Sequence, residues 1–157
     1  MASTALGMMV LPVLFVVTPW LDALNYEPWA AVQAAGIGVL LPGLWLFRRA
    51  HIDLGRHFSR TLEIHPDHAL VTSGVYQRIR HPIYAAIFLI ALAQGLLLPN
   101  WLAGPSGLVG FAAMYLARVR REEAMMLARF GPAYARHVAA TGRLVPRLSS
   151  KREAEPP

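Results

Sequence analysis

The sequence predicts an all-α integral membrane protein with about four transmembrane helices, joined by a cytoplasmic amphipathic helix and C-terminal helices. Three observations predict it. The 157 residues are 55% hydrophobic and 15% charged, against about 25% charged in an average soluble domain. All 15 Lys and Arg fall at positions 48–80 or from 118 onward, and none occurs in residues 1–47 or 81–117. Those two stretches hold four apolar runs, each near the roughly 17–20 residues that cross a bilayer core.

Span one is expected near Ala5–Leu21. It lacks the basic leader of a cleaved signal peptide and a second apolar run follows, so it reads as a retained anchor. Span two is expected near Pro28–Phe47, and Arg48–Arg60 then reads as an amphipathic helix along the membrane surface. Asp67-His68 breaks that pattern, and Gly74 marks a turn before Tyr76. Span three, near Pro82–Leu98, opens on a proline, which suits the first helical position. Pro99-Asn100 turn the chain into span four, near Trp101–Ala117. Spans three and four are short, as in a tight hairpin partly sheltered by other helices. The helical pattern continues over Arg118–Arg129, Gly131-Pro132 stops it, and a short helix over Ala133–Ala140 follows. The expected organisation is one domain, residues 1–147, and a disordered tail, 148–157.

Every basic residue lies between spans two and three or after span four, whereas the loops near Asp22–Glu27 and Pro99-Asn100 carry none. The positive-inside rule then places both chain ends on the cytoplasmic face. Trp20, Trp29, Trp45 and Trp101 sit near predicted span ends, where interfacial anchors belong. The basic balance, +6 at pH 7, is thus a topology signal. Nucleic acid is not an expected partner, because no recognition module is present.

Three constellations carry candidate chemistry. Arg80-His81-Pro82-Ile83-Tyr84 opens span three at the cytoplasmic interface, where a helix N-terminus favours anions. Tyr84 lies one turn inward on the same side. The plain reading, a topological arginine plus a helix start, has equal weight. Glu122-Glu123, behind Arg118, Arg120 and Arg121, suit ribose hydroxyls, an amine or a sulfonium. Alone, an Arg118–Glu122 helical ion pair explains them better. Phe130-Gly131-Pro132-Ala133-Tyr134, followed by Arg136, His137 and Arg143, reads by itself as a helix stop with an aromatic contact. No metal site is expected. There is no cysteine, the pairs His51/His57 and His65/His68 lack zinc-protease spacing, and no glycine-rich phosphate loop or Gly-x-Ser-x-Gly motif occurs.

In order and spacing the constellations say more than they do singly. Leu70-Val71-Thr72-Ser73-Gly74-Val75-Tyr76 followed by Arg80-His81-Pro82-x-Tyr84 resembles the signature of the isoprenylcysteine carboxyl methyltransferase family and the related phospholipid methyltransferases. Glu122-Glu123 with Phe130-Gly131-x-x-Tyr134 resembles its second half, and Leu54–Arg60 is similar to the segment that bacterial members place there. The resemblance covers about residues 54–147. It implies a membrane enzyme using S-adenosylmethionine, bound in a cytoplasmic-side pocket by Leu70, Val71, Gly74, His81, Tyr84, Glu122 and Glu123. A lipophilic or prenylated substrate would enter from the bilayer. Arg80 first, and Arg143 second, would hold its carboxylate as the catalytic residues. The family usually has a second tyrosine and Arg-Val-Pro after Phe-Gly-x-x-Tyr. Here His137 and Ala140-Thr141-Gly142 stand in those places, which points to a different head group. The low-lysine, Ala/Leu/Arg-rich composition points to a bacterial inner membrane, where CaaX prenylation is not expected. A lipid amine or phenolic hydroxyl therefore stays open as the methyl acceptor, as does a small non-catalytic assembly or transport subunit. Against the last, residues 82–117 contain no ionisable Asp, Glu, Lys, Arg or His within the spans.

Overall fold

The structure, a computed structural model, describes residues 2–55 and 70–147. Among these residues four helices carry the fold: α1 (Ala2–Val17), α2 (Ala30–Leu54), α3 (Pro82–Leu97) and α4 (Ser106–Ala140). A two-turn 3-10 helix follows α1 at Pro19–Leu24, and a single-turn one precedes α3 at Gly74–Gln77. Among the described residues there is no strand, only the isolated bridges Asn25–Asn100 and Ile79–Gly142.

Small residues set how closely the helices approach. Gly36, Gly43 and Ala50 recur every seven residues along α2 and are buried, and α3 meets them with buried Ala85, Ala86, Ala91 and Ala93. Small faces of this kind bring backbones together where lipid gives no hydrophobic drive between helices. α2 and α3 form the most extensive helix pairing, and α1 packs across α4. The chain widens to a π turn over Leu6–Val10 of α1. There the Gly7 carbonyl accepts from Gln94 Nε2 at 3.0 Å and from Ser106 Oγ at 2.7 Å, so polar side chains of α3 and α4 meet a carbonyl within an apolar helix. Apart from an aromatic column that includes buried Phe111 and Tyr115, many large apolar side chains point outward: Val16, Leu41, Val109 and Leu116 are exposed. That distribution is the reverse of a water-soluble core and suits a lipid surround. All four tryptophans are exposed too.

Several expected boundaries move. α2 runs unbroken past Phe47 to Leu54, so the start of the expected surface helix, Arg48–Leu54, is the last part of α2. Leucine- and alanine-rich helix continues through the two arginines because nothing in 48–54 breaks it. The remainder of that segment, 56–69, with His57, Arg60, His65 and Asp67-His68, lies outside the described residues, as does the tail 148–157. α1 stops at Val17, because Thr18 turns extended and Pro19 opens the 3-10 helix. α4 starts at Ser106, not Trp101, because Asn100 folds residues 101–105 into a turn by accepting from the Leu102 and Ala103 N–H groups. The stop at Gly131-Pro132 is observed as a break inside α4: Gly131 has φ 50°, ψ −126°, and a helical segment resumes after it. Among the described residues only α2 is long and apolar enough to cross a bilayer by itself, while α1 and α3 are shorter apolar helices. Sixteen residues, as in α3, give about 24 Å of helix, short of the roughly 30 Å hydrocarbon core.

Candidate active site

α3 begins where the Arg-His-Pro run meets the middle of α4, and side chains from three segments converge there. Glu123 is the hub. Its Oε1 accepts from Arg80 Nε at 2.8 Å and from Arg143 Nε at 3.0 Å, and Arg143 Nη2 reaches its Oε2. The His81 Nε2 lies 3.3 Å from Oε1. One helical position away, Glu122 Oε2 accepts from the Tyr84 hydroxyl at 2.6 Å and lies 3.8 Å from Arg118 Nε. The Arg118 Nε is buried without a hydrogen-bond partner. Three arginines thus face two carboxylates.

Local backbone chemistry aims these groups. Pro82 gives α3 its start, and His81 takes a non-helical conformation just before it. After α4 ends at Ala140, residues 141–143 run beside 78–81 as a short parallel strap. Arg80 N donates to Gly142 O at 2.9 Å, His81 N to Arg143 O at 3.1 Å, and Gly142 N to Arg78 O at 3.1 Å. Arg80 Nη1 donates to Thr141 O at 2.9 Å, and Thr141 Oγ1 to His137 O at 2.6 Å. The strap therefore carries Arg143 onto Glu123 from the exposed side, with the Arg143 side chain 45% accessible.

Aromatic rings back the cluster. Tyr84 stacks on His81 at 5.4 Å and meets Tyr115 edge-on at 5.4 Å. Phe88 and Phe111, at 4.8 Å, continue the column inward. Tyr134 and His137, three residues apart on the segment after Gly131, are both buried, with ring centroids 6.4 Å apart.

Burial lowers the His81 pKa, and the carboxylates of Glu122 and Glu123 only partly oppose this, so the ring is neutral at pH 7. Its contact with Glu123 is a hydrogen bond and not an ion pair. Burial also pushes the Glu123 carboxyl up, but hydrogen bonds and charge from Arg80 and Arg143 outweigh that and hold it below the usual range. Arg143 is raised in turn, chiefly by its hydrogen bond to Glu123. Burial lowers His137, helped by the nearby charge of Arg80. Burial raises the Tyr134 hydroxyl to about 12, with Glu123 adding to it.

Six of the nine sequence-predicted site residues meet in this cluster: Arg80, His81, Tyr84, Glu122, Glu123 and Arg143. Leu70 and Val71, both half-buried, lie on the extended segment leading to the 3-10 turn that Gly74 begins. Sequence reasoning missed what holds that segment. Asp53, at the end of α2, accepts from Val75 N at 2.8 Å and pairs with Arg49 at 3.0 Å. Gly74, at φ +60°, sits so close to the Asp53 carboxylate that a Cβ would collide with it. The Arg49/Asp53 spacing of four was the available signal. Tyr115 was also missed, and no sequence pattern marks it, whereas Arg118 stands beside Glu122 as the spacing of four predicts. Among the described residues no three of His, Cys, Asp and Glu come together to hold a metal ion.

Comparison with known proteins adds an independent line. The model of the isoprenylcysteine carboxyl methyltransferase (ICMT) family matches residues 36–128. A protein-S-isoprenylcysteine O-methyltransferase of Schizosaccharomyces pombe is 31% identical over 108 residues, 68% of this chain and 46% of that protein. One of Tribolium castaneum is 28% identical over 134 residues, 84% of this chain and 47% of that protein. The solved structure of the eukaryotic intramembrane Ras methyltransferase ICMT superposes with a TM-score of 0.68 at 26% identity, over 93% of this chain and 51% of its own. The chain thus spans about half the length of these relatives.

Proposed function

The chain belongs to the isoprenylcysteine carboxyl methyltransferase family, and from that premise we propose that it is a membrane-embedded methyltransferase that uses S-adenosylmethionine on a lipophilic, prenylcysteine-like substrate. The observation that carries the reading is convergence. Arg80-His81-x-x-Tyr84 and Glu122-Glu123 lie about forty residues apart in sequence and meet within hydrogen-bond distance, with Arg143 added by the strap.

The donor set fits the cofactor's chemistry. S-adenosylmethionine carries a carboxylate, an ammonium, a sulfonium, ribose hydroxyls and an adenine. Glu122 and Glu123 supply acceptors for the cationic and hydroxyl groups, His81 and the start of α3 suit the anionic group, and Tyr84 offers a ring. Leu70, Val71 and Gly74 would line the same pocket from the segment latched to Asp53. When bound, the cofactor supplies an already activated methyl group.

The chain's own task is then positioning. A substrate carboxylate is ionised at neutral pH and needs no base. Arg80 and Arg143, whose planar guanidiniums already grip one carboxylate, Glu123, are the catalytic candidates for orienting the substrate's carboxylate. The proposed topology is four spans: α2 crosses alone, α1 and α3 are the shorter partners, and the first part of α4 completes the set. The arginine-rich end, with both termini, faces the cytoplasm, in keeping with the positive-inside rule for a bacterial inner membrane.

A second acceptor class, a lipid amine or phenol, is favoured by one observation. His81 and His137 lie beside the cluster with pKa values lowered by burial, and acceptors of that class need a base.

The deciding experiment is binding of S-adenosylmethionine and S-adenosylhomocysteine to detergent-purified protein, followed by methyl transfer to an S-farnesylcysteine probe and to extracted lipids. Saturable binding that is lost in His81→Ala and Glu123→Ala supports the reading, and the labelled product identifies the acceptor. A well-folded wild-type protein that binds neither ligand at millimolar concentration would overturn it.

A further inference from the structure

The end of the bundle opposite the ion cluster carries a cleft of about 190 Å³ between the approach to α2 and the end of α3. The approach to α2 and its first turn contribute Tyr26, Glu27, Trp29, Val32 and Gln33, and the end of α3 with the turn after it contributes Leu96 and Pro99. Its volume is below the roughly 300 Å³ at which pockets for drug-sized ligands begin, so it suits a small head group and not a nucleoside.

The lining residues differ in character. Tyr26 is fixed in place: its N–H donates to Pro99 O at 3.1 Å, its hydroxyl to Leu98 O at 3.4 Å, and its ring packs on Trp101 at 4.9 Å. Trp29 is 75% exposed. Glu27 is exposed and has no ion-pair partner among the described residues. In residues 1–47 and 81–117 the only charged side chains are Asp22 and Glu27, so this end of the bundle is acidic without compensation. A carboxylate beside two aromatic rings is the arrangement that attracts an organic cation. The apolar lining residues Val32 and Leu96 belong to the two helices that carry large exposed apolar side chains such as Ile37, Leu41 and Leu92. Toward the middle of the bundle the two helices close on each other at Gly36, which packs on Leu96 and Leu97.

We propose that this cleft binds the ammonium head group of a zwitterionic phospholipid, with Glu27, Tyr26 and Trp29 receiving the cation and Val32 and Leu96 the adjoining hydrocarbon. The occupant is a lipid and not a free amine because the cation-receiving groups share the cleft with Val32 and Leu96, on two helices whose surfaces carry exposed apolar side chains. The proposal rests on the membrane reading of the chain and is independent of methyl transfer.

The test is native mass spectrometry of protein in detergent micelles doped with phosphatidylcholine, phosphatidylethanolamine or phosphatidylglycerol. The wild type is expected to retain the two ammonium lipids over phosphatidylglycerol. Glu27→Gln and Trp29→Ala, both at exposed positions, are each expected to reduce that preference about fivefold. Equal retention of the anionic lipid, or a preference unchanged in both variants, overturns the proposal. Displacement of the retained lipid by millimolar tetramethylammonium, with equal affinity for the free cation, assigns the cleft to a soluble amine and overturns the lipid assignment. Vesicle partitioning of the same variants reports membrane embedding separately.

Discussion

Polar side chains do opposite work at the two ends of this helix bundle. At the end near the Asp22–Glu27 loop, Asn100 is fully buried. Its Nδ2 donates to Leu21 O and to Asn25 Oδ1, both at 2.8 Å, and its Oδ1 accepts from Leu102 N at 3.0 Å and Ala103 N at 2.8 Å. One neutral amide uses all four of its hydrogen-bonding positions. It ties the α1–α2 connection to the α3–α4 turn and has no capacity left for a ligand. At the other end the groups are charged, Arg143 and Glu122 reach solvent, cations outnumber carboxylates, and Arg118 Nε has no hydrogen-bond partner. The saturated neutral network holds the chain, and the unbalanced charged one is where a ligand with both signs of charge gains most.

Substitutions at the two hubs should therefore fail in opposite ways. Asn100→Ala strands two backbone N–H groups, one of them on fully buried Ala103, and removes four hydrogen bonds. The expected loss is about 3–4 kcal/mol of stability, read by urea or SDS unfolding in detergent, with cofactor affinity unchanged in the folded fraction. Glu123→Gln should do the reverse. The amide keeps an acceptor for largely buried Arg80, and Arg143 is 45% exposed, so the stability change stays smaller than for Asn100→Ala, at about 1–2 kcal/mol. Removing the charge that Arg80 and Arg143 share should weaken S-adenosylhomocysteine binding about tenfold or more, by calorimetry. Equal losses of stability and affinity in both variants would erase the distinction between the ends.

How much of this contrast could be read beforehand differs between the ends. The charged end was legible because ionisable residues are scarce: with none of Asp, Glu, Lys or Arg in 81–117, Arg80, Glu122 and Glu123 stand out at the borders. Helix type and the stop at Gly131-Pro132 were legible for the same reason, since apolar runs and Gly-Pro leave few local alternatives. The Asn100 network was not. Pro99-Asn100 marked a turn, but what fixes the start of α4 is an amide reaching Leu21 and Asn25, more than seventy residues back, and no local pattern encodes it. The end of α2 is not legible from Arg48 and Arg49, because long basic side chains can reach polar surroundings while the helix continues, here to Leu54. Asp53 was missed because its main partner, the Val75 backbone, carries no sequence signal.

A smaller effect sharpens the charged end. Gly74→Ala places a Cβ against the Asp53 carboxylate at a positive φ, a cost of about 1–3 kcal/mol if the segment stays in place. The turn should yield instead, because single-turn elements are held by few contacts. The prediction is a drop of several-fold in cofactor affinity with a small stability change. Asp53→Asn, which keeps an acceptor for Val75 N, should show much less. A Gly74→Ala protein with wild-type affinity would remove the 70–77 segment from the site.

The smallest expected effect is on pH, and its sign follows from the buried histidines. His81 and His137 both have pKa values lowered by burial from the ordinary 6.5. As pH falls through 6.5 the unfolded chain takes up protons at these positions and the folded protein does not, so the folded state loses stability. The loss is complete once the folded protein protonates as well. Glu123 acts in a lower window. Its folded pKa lies below the ordinary 4.5, so its contribution is intact above pH 4.5 and is lost only as pH falls through the folded value. Unfolding measured at about pH 7.5 and about pH 5.5 should thus show a modest loss from the histidines alone. Replacing both His81 and His137 by Gln should flatten the profile in that interval and leave the fall below pH 4.5. Stability that rises on acidification toward pH 5.5 would mean that His81 is an ion-pair partner of Glu123 instead of a neutral donor, and the charged end would hold its carboxylate with three cations where two are inferred.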